Sequence, residues 1–445
     1  MSRRCIIEIN DSGLRLITAD GISKPSPGYA CAADRELLLG AAAADQLRIN
    51  PRQTHDRFWQ QLNQQALPRP CAAARSHADL AYFHLAQLWR EHGPAVDEVT
   101  LLVPGANSLQ ANELLLGITR ALAMPVSRLI PNPLIYARCA AANATVVLDA
   151  QLHQLTLDRL LPRHGQWQWQ HSQVIAEQGL RTLYNRWAQW IGDAFLRQTR
   201  FDPLHNAASE QTLWQQLPAW LAALVDQPQL RVSMRSGRQT YQIELHRDEL
   251  ASAAANAYEA LAEAIDRQSQ AVLLSERISH LPGLIQHLRD GGLEPRLVDD
   301  ERFAAQALAC ADELAEDAGS DTLYYQHLPM APGHQKMADA TRTTPSPLPP
   351  ARPPTHLLDQ HRALPLTALP LNLPDRNGDV QLLRDQQGRL RLRHSGRQSV
   401  LINRQPAGPA AVLQLGDQIE IDRRLYALIE VVAESNRGDD GPAPH

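Results

Sequence analysis

Short apolar runs with a period of two alternate, through the first part of the chain, with longer stretches in which apolar residues recur every third or fourth position. Near the N-terminus CIIEIN and LRLITAD read as strands. Asp11, Ser12 and Gly13 between them favour a tight turn, so the pair predicts a β-hairpin. A helix-like pattern follows from Arg35 to Leu62. HADLAYFHLAQLWREHG is amphipathic at helical spacing and stops at Gly93-Pro94, and EVTLLVP after it reads as a strand. LQANELLLGITRALAM predicts a further helix, SRLIPNPL a short strand and turn, and ATVVLDA with LHQLTLDRLLP a second hairpin. A strand, a helix and a hairpin recurring in two successive halves predict an α/β fold, a mixed sheet flanked by helices.

The pattern breaks between residues 341 and 355, where TRTTPSPLPPARPPT holds six prolines and no hydrophobic period. Such a stretch predicts an extended linker, placed at 329–356, after a first domain at 1–328. Beyond it GDVQLLRD, GRLRLRHS, SVLINRQP, AVLQLGDQIEID and RRLYALIEVV are short runs separated by turn residues. They predict a small all-β sandwich over 357–433, followed by a disordered acidic tail at 434–445.

Composition narrows the function classes. Of 445 residues, 44% are hydrophobic and 20% charged, and no apolar run is long enough to span a bilayer, so no integral membrane segment is expected. The first ten residues lack the features of a signal peptide, which predicts a cytoplasmic location. With 43 basic and 48 acidic residues the net charge is −5, which gives no electrostatic reason to expect nucleic acid as a partner. Five cysteines without a CxxC pair suit neither a zinc site nor a disulfide framework.

The order of motifs in the first block resembles the nucleotide-binding domain of DnaK-type chaperones, the heat-shock protein 70 family of the actin-like ATPase superfamily. IIEINDSGLRL stands where that family has its first phosphate loop. LLLGAAAADQLRINPRQT and VTLLVPGANSLQANELLLGITRALAMPVSRLIPNPLIYA follow in the family's order. ATVVLDAQLHQLTLDRL stands at the second phosphate loop, and AVLLSERISHLPGLIQHL at the adenosine-contacting strand and helix. The resemblance implies a bilobed actin-like ATPase fold of the ribonuclease H-like kind.

The loops depart from what triphosphate binding needs, because glycines let backbone N–H groups approach phosphates where a Cβ would block them. At the first turn Glu8, Asn10, Asp11 and Ser12 stand where the family has an acid, a glycine and hydroxyl residues; at the second, Asp149 keeps the acid while Gln151 and its neighbours replace glycines. Ser275, Glu276 and Arg277 replace the third glycine site. Glu8, Asn10, Asp11, Ser12, Asp149, Gln151, Ser275 and Glu276 are the candidate vestigial nucleotide site. Glu8 and Asp149 are the one pair placed to hold Mg²⁺ through water. No catalytic or metal-binding residue and no cofactor is expected, with ATP and Mg²⁺ the candidates if the site is retained. The expected function is a non-catalytic pseudo-ATPase, a protein-binding scaffold or adaptor; an active ATP-dependent chaperone or switch is the alternative.

The second block resembles the C-terminal half of a forkhead-associated (FHA) domain, through Ser399 to Arg404 and Leu413 to Ile421. In that family arginines on loops bind phosphothreonine by charge-assisted hydrogen bonds. Arg393, Arg397, Asn403 and Arg404 are therefore the candidate protein-binding residues, and the expected partners are other proteins, acidic or phosphorylated ones among them, with plain protein docking placed ahead of phosphopeptide binding.

Overall fold

The computed structural model describes residues 3 to 331 apart from breaks at 34–35, 72, 94–95, 141–144, 266–270 and 315–322; between 354 and 429 it describes the strands and some of their turns. The chain divides into two compact units, Met1–Thr341 and Arg342–His445. The first unit is α/β and contains two six-stranded sheets.

In the first sheet, strand Arg4–Glu8 pairs antiparallel with Arg15–Thr18 and parallel with Glu98–Val103, which in turn pairs parallel with Val126–Pro131. In the second, Thr145–Ala150 pairs antiparallel with Gln154–Arg163 and parallel with Ala271–Ser275, which pairs parallel with Pro295–Val298. The two sheets thus repeat one topology. In each, a hairpin turn follows the first strand, so both turns project from the carboxyl end of a strand flanked by a parallel neighbour.

Local chemistry accounts for the helices between these strands. Helix His77–His92 begins with a capping box in which Ser76 accepts from the Asp79 backbone and the Asp79 side chain returns the bond. Ser108 caps Leu109–Ala121, and Asn206 caps Ala207–Asp226. Helix Leu180–Thr199 packs on strand Gln239–His246 and helix Ala207–Asp226 on its hairpin partner Gln229–Ser236, and Trp187 is completely buried, with its Nε1 donating to the Leu250 carbonyl at 2.8 Å.

The helix predicted over 35–62 is not formed as such. Glu36–Leu39 is a strand, paired with Ala30–Ala33. Helix occupies only Gly40–Ala44, and a short strand at Thr54–His55 closes a three-stranded sheet. The run Leu37 to Leu39 suits a strand better than a helix stripe, Gly40 at φ +62° turns the chain, and Asn50-Pro51 prevents the helix from continuing. The first unit also reaches past residue 328: His327–Pro329 pairs with Gln166–Gln168, and Met330 and Ala331 are buried.

In the second unit the described residues form strands in sheets of six and four, with no helix among them. Leu357, Leu382, Leu392, Ile419, Ile421 and Leu428 belong to its single apolar core. Alternation explains which residues enter it: Leu390 and Leu392 are buried, whereas Arg391 and Arg393 between and beyond them face outward. No helix among the described residues of either unit is long and apolar enough to cross a membrane.

Candidate functional site

The two repeated hairpins meet at the centre of the first unit. Register places the first acid: Glu8 lies opposite Arg15 across the antiparallel pair, and side chains of directly opposed residues share one face. Glu8 is fully buried and its Oε2 accepts from Arg15 Nε at 2.5 Å. Parallel pairing places the second acid. Leu274 sits opposite Leu148, which brings Ser275 beside Asp149, and the Ser275 hydroxyl donates to Asp149 Oδ1 at 2.5 Å. Ser275 also caps the short helix Glu276–Ser279, whose second residue is Arg277.

Arg277 spans the two acids. Its Nη2 donates to Glu8 Oε1 at 2.8 Å and its Nη1 to Asp149 Oδ2 at 2.9 Å. Asn10 adds a bond from Nδ2 to Asp149 Oδ2 at 3.1 Å, and Arg15 also pairs with Asp300. Two guanidiniums and three carboxylates therefore form one network joining both sheets. Burial pushes the Glu8 carboxyl up, but Arg277 and Arg15 outweigh it and hold the group below the ordinary range. Asp149 shares a single arginine with Glu8; burial, with the Glu8 charge adding to it, raises its carboxyl in spite of Arg277 and Ser275.

The turns are closed by their own side chains. Asn10 Oδ1 accepts from the Ser12 backbone at 2.9 Å and from the Ser12 hydroxyl at 2.8 Å, so the Ser12 side chain is spent on the first turn while Asn10 closes the turn and still reaches Asp149. Asp11 Oδ1 accepts the Leu152 backbone N–H at 2.8 Å, while Oδ2 is buried without a partner. Burial raises the Asp11 carboxyl to about 6. Carbonyls of the second turn are taken by the following helix, with Leu180 donating to Gln151 and Arg181 to Leu152. Gly179 permits that contact, because a Cβ there would lie 2.2 Å from the Gln154 nitrogen. Glu276 turns away from the acids and accepts from the Asp300 backbone at 2.7 Å.

Of the candidate positions, the structure brings Glu8, Asn10, Asp149 and Ser275 together. Ser12 and Asp11 are committed to the turns, Glu276 to a helix start, and Gln151 to a separate chain of amides. Divalent-cation binding needs the Glu8 and Asp149 oxygens that Arg277 already holds, and a phosphate needs backbone donors such as the one Asp11 has taken. These residues do not fit Mg²⁺ with ATP. Among the described residues no group of three or more His, Cys, Asp or Glu is placed to hold a metal ion.

The sequence reading missed the arginines. Arg277 entered the sequence reading only as a replacement at the third glycine site, yet it is the counter-ion of the centre. Arg15 carried a signal, a charged residue between the buried Leu14 and Leu16 at the end of a strand. His153 is buried and paired with Asp56 through a bond to its carbonyl at 3.0 Å, a structural contact. What remains open beside Arg277 is a cavity of about 230 Å³, walled by Leu180, Tyr184, Pro218 and Leu221 and by Arg15 and Glu276.

In the second unit Arg393 is exposed, and its Nη2 donates to Gln381 Oε1, its cross-strand neighbour, at 2.7 Å. It makes no ion pair among the described residues and lines, with Arg384, Leu366, Leu369 and Leu383, a cavity of about 480 Å³ that no acid among the described residues borders. Arg397, Asn403 and Arg404 lie outside the described residues. Compared with known protein families and with curated protein sequences, the chain matches none.

Proposed function

We propose that the chain is a non-catalytic DnaK-like scaffold, a pseudo-ATPase of the actin-like fold joined to an FHA-like module, that works by binding other proteins. The repeated sheet topology of the first unit supports the fold reading, and one observation carries the functional one. The Arg277 guanidinium lies between Glu8 and Asp149, so a protein cation stands where turnover of a nucleotide would need a metal. Catalysis by electrostatic stabilisation requires donors left free for the reacting group, and here the Leu152 donor is consumed by Asp11. Docking falls to the second unit, where Arg384 and Arg393 border a cavity of mixed polar and apolar lining suited to an acidic or phosphorylated segment.

The test is linkage. A ligand that binds the native state raises its melting temperature, so ATP with Mg²⁺ is expected to leave the melting of the full chain unchanged and phosphate release at background. ATP hydrolysis above a heat-inactivated control, lost in Glu8→Ala, overturns this reading in favour of an active ATPase.

A further inference from the structure

Separate from the charged centre, a cavity of about 390 Å³ lies within the first unit. Its volume is in the range of small-molecule sites. Much of its polar wall is primary amide, including Gln60, Asn63, Asn107, Gln151 and Gln154. Ile9, Trp59 and Val174 supply apolar surface. Among the described residues no arginine, lysine or histidine lines it, and Asp11 is the one ionisable residue that does.

The direction of the amides is fixed by a group that only donates. Arg57 is held in a two-pronged pair with Glu177, and its Nη1 also donates to Gln60 Oε1 at 3.2 Å. That leaves Gln60 Nε2 to donate to Gln154 Oε1 at 3.2 Å, and Gln154 Nε2 to donate to Gln151 Oε1 at 2.7 Å. Reversing any one amide would set donor against donor or acceptor against acceptor. The chain of bonds therefore ends on Gln151 Nε2, a donor with no acceptor among the described residues, on a side chain only 5% exposed. Asn63 is fixed in the same sense. Its Oδ1 accepts from the Gln65 backbone at 2.8 Å, which leaves Nδ2 as a second donor on the same cavity.

Two fixed, uncharged donors select the ligand. Gln151 Nε2 and Asn63 Nδ2 are N–H donors that cannot ligate a cation, and the buried, unpartnered Asp11 Oδ2 is left to accept from a ligand hydroxyl. Anions are disfavoured because no basic side chain lines the wall and Asp11 repels them. We propose that this cavity binds a neutral, oxygen-rich small molecule of the polyol or monosaccharide class, whose oxygens accept from Gln151 Nε2 and Asn63 Nδ2. Gln151 is then a binding residue, and Arg57, Gln60 and Gln154 position it. The assignment stands apart from the docking role and holds whether or not a partner protein is found.

Calorimetry and thermal melting on the full chain test it, with glucose, N-acetylglucosamine, myo-inositol and ribose as neutral probes, and glucosamine and glucose 6-phosphate as charged counterparts. At least one neutral probe is expected to bind saturably and to raise the melting temperature, with its charged counterparts roughly tenfold weaker. Gln154→Met cuts the relay and is expected to weaken binding roughly fivefold to tenfold. Asn63→Asp keeps the acceptor that the Gln65 N–H needs, so the fold survives, but it replaces a donor by an acceptor and is expected to abolish binding. Saturable binding by none of the four neutral probes, tighter binding of a charged counterpart, or full affinity in Asn63→Asp would each overturn the proposal.

Discussion

Asp11 Oδ1 accepts the backbone N–H of Leu152 at 2.8 Å, so an acid in the first hairpin turn closes the second. The bond joins residues far apart in sequence and ties together the two sheets that carry the repeated topology. Together with Arg277 it makes the centre of the first unit self-sufficient. Glu8, Arg15, Asp149, Arg277 and Asp300 each meet an oppositely charged partner from the same chain, whereas Asp11 keeps Oδ2 without one.

Replacing Arg277 by Ala is expected to destabilise the first unit by about 3–5 kcal/mol near neutral pH, because it leaves two buried carboxylates facing each other without their shared cation. The loss shrinks as the pH falls, since protonating either acid relieves the repulsion. Denaturant unfolding of the variant at acid and neutral pH checks both statements. A loss below about 1 kcal/mol at neutral pH, the range of an exposed pair, would show that the bridge is not formed.

Asp158 gives a second dependence of opposite origin. It is buried, and burial raises its carboxyl to about 7 despite bonds from the Ser172 hydroxyl and from Trp169 Nε1 at 3.0 Å. A folded-state value above the unfolded one, about 4, means that the native state binds the proton more tightly. This residue's contribution is therefore complete at low pH and is lost as the pH rises through about 7. Asp158→Asn keeps an oxygen for both donors and is expected to flatten stability between pH 5 and 8 relative to the parent chain. A parent and variant with parallel pH profiles would refute the assignment.

The division at the proline-rich stretch predicts that limited proteolysis cuts between Ala331 and His356 and leaves two fragments that each melt cooperatively. Removing the second unit, or changing Arg384 and Arg393 together to Ala, is expected to abolish capture of a protein partner while the melting of the first unit stays unchanged. Retention of that partner by the truncated chain moves the docking surface onto the first unit.

Much of the architecture was legible because it is local. Hairpin turns announce themselves through Asp11 to Gly13, helices through the apolar spacing in His77–His92 and Leu109–Ala121, and buried strands through runs such as Thr145 to Leu148. Around Gly40 the same reasoning failed, since a run of leucines fits either a strand or a helix and only pairing with Ala30–Ala33 decides. The centre was legible in half. The turn acids mark the place, but what neutralises them comes from Arg277, and nothing in the residues around it states that its guanidinium reaches Glu8. The polarity of the glutamines was invisible for the same reason, because it is set by Arg57 across a gap of about a hundred residues.

The charged network has a consequence for how the chain reaches its native state. Its members stand at 8, 15, 149, 277 and 300, so the ions of the first sheet find their full complement only when the last strands of the second are in place. A chain stalled halfway, with Glu8 and Arg15 paired but Asp149 awaiting Arg277, would have to leave that carboxylate hydrated and the sheet behind it open to water. Completion of this open chain of charges, Asp300–Arg15–Glu8–Arg277–Asp149, is therefore expected to couple the two halves into one cooperative transition.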